Sequence, residues 1–535
     1  MTAPRTDLPT HVVENQPEPR LPRLWHGDLS LREAVAANNG SPEPVERLAD
    51  RLAEPEMVGA GREANRQPPG LRLFDAGGRR LDEVEFHPAY HRLMQAGLEV
   101  GYASVAWEAA PGGHVAHAAM VYVMSQIEPG VCCPMTMTYA AVPALQADPA
   151  LAAIWKPKLT ARGYDPRVLP LARKTAATLG MAMTEKQGGS DVRANTTQAE
   201  PAGDVYRLTG HKWFCSAPMS DGFLTLAQAP GGLTCFVVPR WLEGERNGVH
   251  LMRLKDKLGN RANASAEIEY HGALAHRLGN EGQGVRTIIE MVHHTRLDTA
   301  MAPAGLMRAA LAEAAHWCRG RTVFQKKLID QPLMQAVLAD LALDWQGALA
   351  LGLRVARAFD GDTDEDRAFA RIGVALAKFL SNKRCPGVVY ECMEALGGMG
   401  YVEDTPLPLL YREAPLNSIW EGSGNVICLD ILRTLARDSG ASAALWSELD
   451  DCRGADRRYD AALAEHRTRW PGLPGEAEAR WFAERTATLL TAAVLIRTAP
   501  AAVADGYVAT RVAGERGQVA GSVTGLDAGA ILARI

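Results

Sequence analysis

The run Asn417-Ser-Ile-Trp-Glu-Gly-Ser-Gly-Asn-Val-Ile-Cys-Leu-Asp carries one carboxylate, Glu421, between Trp420 and a Gly-Ser-Gly turn. Partial removal from water would raise that carboxyl's pKa toward a useful general base. Gly422 and Gly424 let backbone N–H groups approach a ligand closely, at the mouth of an apolar helical segment, 426–435, where anions are favoured. The plain alternative is a helix start with a surface glutamate. A second group is Met181-Ala-Met-Thr-Glu-Lys-Gln-Gly-Gly-Ser-Asp-Val. Thr184 and Ser190 supply hydroxyls and Gly188-Gly189 a tight backbone, a combination that suits the phosphates of a ring-bearing cofactor. A third, Gly210-His-Lys-Trp-Phe-Cys-Ser, ends an expected strand with Phe214 and, two residues on, the hydroxyl of Ser216. The ring can pack on a planar ligand while the hydroxyl bonds to its edge. Taken singly, Gly-Gly-Ser is a turn and Trp-Phe is strand core. His293-His294 have no third residue at metal-ligand spacing and read as a pair on a helix surface.

These residues sit in a chain of 535, long enough for several domains. The net charge of -5 and pI near 6.3 give no global attraction to nucleic acid or membrane. Nine cysteines without a Cys-x-x-Cys pair suggest buried thiols in a reducing cytoplasm rather than a zinc or redox site. Residues 1–25 read as an arm, polar and Pro-rich, not as a signal peptide. No stretch reads as long and apolar enough to span a bilayer. Ser30 and Glu33 form a candidate capping box, and helices with breaks at Pro68-Pro69 and Gly77-Gly78 follow. Residues 1–180 therefore read as arm plus helical domain. Residues 181–283 hold short β-branched and aromatic runs separated by turns, an antiparallel β domain. Residues 284–438 return to helical period in four long patterns, 285–319, 331–359, 364–383 and 387–396, plus 426–437, as expected of an antiparallel bundle. Residues 440–535 read as a separate Ala- and Arg-rich helical appendage. Their 11 Arg, no Lys and 12 acidic residues admit either a phosphate-clamping surface or ion pairs along a solvated face.

Thr-Glu-x-x-Gly-Gly-Ser-Asp, Gly-His-Lys-Trp-Phe-x-Ser, Lys257-Leu-Gly-Asn-Arg, Arg321-Thr-Val-Phe, Leu396-Gly-Gly-Met-Gly-Tyr and Trp420-Glu-Gly-Ser-Gly-Asn occur in that order. Together with the helix, sheet, helix layout they resemble the acyl-CoA dehydrogenase flavoprotein family, closest to its adaptive-response (AidB-like) branch linked to DNA alkylation. The resemblance implies a mainly α fold with a central β domain: N-terminal helical domain, antiparallel β domain, C-terminal four-helix bundle and a helical extension. It implies FAD and a homotetramer. By analogy Met181, Met183 and Thr184 would lie along the flavin, Gly189 and Ser190 at its pyrophosphate, Phe214 and Ser216 at its ring, and Ser423 and Asn425 at the adenosine diphosphate. Cys132-Cys133 would lie near the flavin. From a neighbouring protomer, Arg321 would pair with the pyrophosphate, Phe324 would pack by the adenine, and Gly397-Gly398 would allow close approach. Glu421 would be the base removing a proton α to a thioester carbonyl, with Arg296 near the substrate. The implied substrate is a short or branched acyl-CoA such as isovaleryl-CoA. Double-stranded DNA is the implied further partner, with Arg433 and Arg437 as candidate contacts; the rival reading is a DNA-binding flavoprotein with little dehydrogenase activity. No membrane partner and no metal are implied. Three positions depart from the family pattern: Gln325 and Lys327 stand for Gly and Pro, Glu394 for a cofactor-contacting Gln, and Phe214 for Trp.

Overall fold

The computed structural model describes residues 8–535, so the first seven residues of the expected arm lie outside the described residues. Residues 8–23 are irregular except for a short turn at Pro9–His11. Leu24 and Trp25 then enter the core. Helix α1 (Leu29–Ala37) is capped by Asp28, which accepts from Leu31 N at 2.9 Å, and not by Ser30. A carboxylate meets the free N–H groups and the helix dipole better than a hydroxyl. Asp28 is fixed further by the Tyr122 hydroxyl (2.6 Å) and Arg308 Nε (3.0 Å). Ser30 turns instead toward Gln346.

α2 (Pro42–Ala53) and α3 (Pro55–Arg66) follow. Helix was then expected, but residues 70–85 form a ribbon of β1 (Gly70–Phe74) and β2 (Arg80–Glu85). Gly77-Gly78 are its turn, and Leu71, Leu73 and Val84 pack onto the central sheet. Their alternation has a period of two, which the breaks on either side obscured. α4 (Pro88–Val100), α5 (Gly113–Met124), α6 (Cys132–Leu145) and α7 (Pro149–Leu159) complete the first helical layer. Every residue of α5 is buried, as its unbroken apolar composition requires.

The β region contains β3 (Leu179–Ala182), β4 (Gln198–Ala202), β5 (Val205–Ser216), β6 (Gly222–Ala229), β7 (Gly232–Pro239), a small ribbon β8–β9 (Trp241–Leu242 with Glu245–Arg246), β10 (Val249–Leu254) and β11 (Ser265–Leu278). Seven of these strands make one sheet, ordered β10-β11-β5-β4-β6-β3, with β7 pairing both β6 and β11. The path β11-β5-β4-β6-β7 thus returns to β11. The antiparallel sheet expected has two parallel pairings, β3 with β6 and a single residue pair of β4 with β6. β3 arrives from the helical layer through a long connection, so no hairpin constrains its direction.

α8 (Gly284–Gly320) leads to the ribbon β12–β13 (Thr322–Val323 with Lys326–Lys327), then α9 (Pro332–Asp360) and α10 (Asp364–Ala395). The expected segments 364–383 and 387–396 are one helix with Pro386 inside it. The lost backbone hydrogen bond is tolerated because Cys385, Val388, Val389 and Cys392 around it are buried in the bundle. α11 (Leu407–Glu413) and α12 (Gly424–Arg437) pack on α10. α9 corrects the expectation that no stretch is long and apolar enough to cross a membrane: it is, but most of its apolar window is buried within the protein.

α13 (Ser439–Asp450), α14 (Arg457–Arg469), α15 (Ala479–Thr498), α16 (Ala501–Tyr507) and α17 (Ala528–Leu532) form the C-terminal part. It is not set apart as expected. α15 lies on α9, α10 and α12, and its buried side chains join the bundle's apolar core. Arg511 is held between Asp340 and Asp344 of α9, with Nη2 2.9 Å from Asp344.

Candidate active site

Glu421 lies on the turn before α12 at φ +57°, followed by Gly422 at +99°. A Cβ-bearing residue in the left-handed region costs about 1 kcal/mol or more, so the surroundings must enforce it. Two helices do so. Lys378 of α10 is buried and donates from Nζ to the carbonyls of Asn417 (2.8 Å) and Gly422 (2.9 Å). Arg296 of α8 donates from Nε to the Glu421 carbonyl (3.2 Å) and from Nη1 to Asp430 (2.7 Å), which Arg371 also holds (2.8 Å). Arg296, expected at the substrate, is thus committed to the turn and to an ion pair. The Thr295 hydroxyl donates to Glu421 Oε2 at 2.7 Å. Among the described residues no donor meets Oε1.

The half-buried Glu421 carboxyl has its pKa raised, because burial outweighs the Thr295 hydrogen bond and the charges of Lys378 and Arg296. Burial pushes Lys378 down to about 7, against the attraction of Glu421. Each group's charge opposes the shift that burial imposes on the other.

Met181 lies on β3, with Met183 and Thr184 just beyond. Trp213 N donates to the Thr184 carbonyl at 2.7 Å, tying this loop to β5. A Cβ on Gly189 would come 2.4 Å from Thr184 Oγ1, so the glycine is needed for that close approach. Ser190 is exposed, Phe214 is 49% exposed, and Ser216 Oγ lies 3.3 Å from Ser265 Oγ. The loop rests on Glu185, fully buried, which accepts from Thr196 N, Thr197 N, Thr197 Oγ1 and Lys212 Nζ (2.8 Å). Although burial opposes it, those bonds hold Glu185 well below the usual carboxylate range. Burial lowers Lys212 to about 8. Cys133 links the two halves of the site: burial pushes its thiol up to about 12, and it feels the charges of Lys257 and Glu421.

The residues expected to serve a neighbouring protomer lie on other elements. Phe324 and Gln325 form the tip between β12 and β13, both at positive φ (52° and 64°), and Phe324 is 90% exposed. Arg321 has no carboxylate partner among the described residues. Gly397, at φ +61°, and Gly398 have open space where a Cβ would be. Glu394 lies near the Tyr390 hydroxyl and raises its pKa. Ser423 starts α12 without a capping bond, and Asn425 accepts from Arg480 at 2.9 Å. An exposed ring, hydroxyls on a glycine-opened loop, an uncapped helix start and an uncompensated arginine form a donor set that fits a phosphorylated isoalloxazine.

His293-His294 are not a surface pair. They pack among Trp107, His114, Tyr139 and Phe359, and burial lowers His294 to about 4, keeping it neutral. Lys378, Thr295, Glu185 and Lys212 escaped sequence reasoning as supports. Lys378 had a usable signal, a lone cation within the apolar run 372–380.

Residues 15–166 match the adaptive response protein AidB N-terminal domain. Residues 180–273 and 282–436 match the acyl-CoA dehydrogenase middle and C-terminal domains. Escherichia coli AidB is 47% identical over 85% of this chain and 86% of its own length. This chain belongs to the acyl-CoA dehydrogenase family. Within that family of flavin oxidoreductases it falls in the AidB branch. Another acyl-CoA dehydrogenase relative, family member 11 of Caenorhabditis elegans, is 33% identical over 78% of this chain and 70% of its own. The C. elegans ACDH-11 structure, solved with C11-CoA, superposes with a TM-score of 0.83 at 28% identity, covering 95% of each chain. The family fold, helical layer, central β domain and bundle, is therefore shown for this acyl-CoA dehydrogenase.

Proposed function

We propose that this protein dehydrogenates a short or branched acyl-CoA thioester with FAD, using Glu421 as the base. The observation carrying this reading is the half-buried Glu421 carboxyl, raised in pKa and bonded at one oxygen by Thr295. Oε1 takes the α-proton of the thioester. Thr295 keeps Oε2 turned away, so the proton has one acceptor, and Arg296 and Lys378 keep the turn in its left-handed conformation. FAD, when bound, supplies the hydride acceptor. Thr184, Gly189, Ser190, Phe214 and Ser216 hold it from one protomer with Ser423 and Asn425. Arg321, Phe324, Gly397 and Gly398 reach it from a second protomer of a homotetramer. The 90% exposure of Phe324 at a positive-φ tip supports that assembly, since an isolated chain gains nothing from it. Nine free, buried thiols support a reducing cytoplasmic setting. Purified protein mixed anaerobically with isovaleryl-CoA is expected to lose its yellow absorbance. An unchanged spectrum with this and other short acyl-CoAs removes the dehydrogenase reading.

A second reading, contact with duplex DNA, draws on Arg433 and Arg437, exposed four residues apart on α12 without carboxylate partners among the described residues. The C-terminal part adds little: of its 11 arginines only Arg457 and Arg480 lack an acidic partner among the described residues. Retention on duplex DNA at low salt should fall steeply with added salt and be lost in Arg433→Ala/Arg437→Ala. Retention unchanged in that double variant rejects these arginines as the contact.

A further inference from the structure

The arm before α1 does not behave as a piece of core. Leu8, Val12, Val13 and Leu21 stay half or more exposed, so apolar burial is not what holds residues 8–21 in place. Its contacts are polar and converge on the end of α8 and the start of β12. Asn15 makes a two-way amide pair with Thr322: Oδ1 accepts from Thr322 N at 2.6 Å and Nδ2 donates to Thr322 O at 2.7 Å. Its own carbonyl accepts from Arg321 Nη1 at 2.8 Å. Asn15 adopts φ +54°, a conformation asparagine tolerates better than most residues, and this lets side chain and carbonyl serve adjacent residues of one ribbon. On either side the arm is pinned to α8: Pro17 sits where a Cβ on Gly320 would be, Glu18 O accepts from His316, and Arg20 pairs with Glu313 at 3.3 Å.

Arg321 is held by a neutral carbonyl and by the Trp317 ring, 5.6 Å away. Neither cancels its charge, and among the described residues one of its five N–H groups is used, leaving four to meet an anion. A carboxylate in place of the Asn15 carbonyl would hold the side chain as well but would compete with that anion. We infer that Asn15 is a positioning residue for cofactor binding: the arm sets the start of the β12–β13 ribbon so that Arg321 is presented ready-formed to the FAD site of the neighbouring protomer. The inference rests on the FAD reading above and adds to it a residue outside the motifs on which the resemblance was read. Without the amide pair the exposed ribbon is free to reorient, and ordering it becomes part of the cost of binding.

The test is an FAD titration of the apo full-length chain followed by flavin fluorescence, for wild type, Asn15→Ala, Arg321→Ala and the double variant. Asn15→Ala should weaken FAD about tenfold, the scale of two hydrogen bonds lost from an exposed ribbon. Because Asn15 acts through Arg321, the double variant should bind within about twofold of Arg321→Ala alone. The thermal midpoint of the apoprotein should not move with Asn15→Ala. Wild-type affinity in Asn15→Ala, losses that multiply in the double variant, or an apoprotein midpoint that falls in step with affinity each overturn the inference while leaving FAD binding intact. A wild-type chain that takes up no FAD removes the functional reading itself.

Discussion

In Glu421→Gln the flavin stays yellow when isovaleryl-CoA is added, with the reduction rate down by about a thousandfold or more and FAD still bound. A positioned general base contributes about 10²–10⁴ in rate, and glutamine keeps the size of the side chain and an oxygen for the Thr295 hydroxyl while removing the basic site. FAD retention should survive because the proposed cofactor contacts come from other residues. The pH profile gives an independent check. Glu421 works deprotonated and its pKa is raised by burial, so the wild-type rate should climb with pH through that raised pKa and then level off. Lys378 carries positive charge that lowers the Glu421 pKa. Lys378→Met should therefore move the acid limb to higher pH. An acid limb that stays put, or bleaching at wild-type speed in Glu421→Gln, would show that the proton goes elsewhere.

Arg511→Met should lower the first thermal unfolding transition sharply and open residues 439–535 to limited proteolysis while the rest resists. Arg511 is 2% exposed, and removing it strands the carboxylates of Asp340 and Asp344 on α9. Breaking a buried ion pair from one side costs roughly 3–5 kcal/mol, because a desolvated charge loses its partner. Arg516, 3.1 Å from Asp340, and Gly521 N, 2.9 Å from it, soften the loss at Asp340, and Arg384, 4.0 Å from Asp344, softens it there. Burial by itself would raise the Asp344 pKa, and Arg511 keeps it lowered; in Arg511→Met that carboxyl should take up a proton more readily. The first transition is the quantity to read, since a chain of this size need not unfold in one step. Equal protease resistance in variant and wild type would mean that apolar packing alone secures the C-terminal helices.

The sequence made the periodic elements readable and left the supports hidden. α8 and α9 were legible within a residue or two because long apolar faces repeat without a breaker. Pro386 split α10 on paper, but in the fold its neighbours are buried deeply enough to carry the helix through. The β1–β2 ribbon was lost because five- and six-residue strands between glycines and prolines offer too few alternations. At the site, Glu421 and the loop from Thr184 to Ser190 announced themselves by glycines and hydroxyls. Lys378 and Thr295 did not, because their roles come from bonds across 44 and 126 positions of chain. The parallel course of β3 and the use of Arg511 are likewise products of long-range closure, which no local spacing encodes.

The apolar character of α9 bears on the chain's life before it is complete. Roofing by α15, α16 and α17 comes from residues 479–532, which leave the ribosome well after α9. Until then, a segment greasy enough to pass for a bilayer anchor stands partly uncovered. Nascent or truncated chains ending short of α15 should accordingly be clients of chaperones and of the quality-control proteases that read exposed hydrocarbon. Those helices would then act as the seal by which a chain with α9 covered is told from one with it bare.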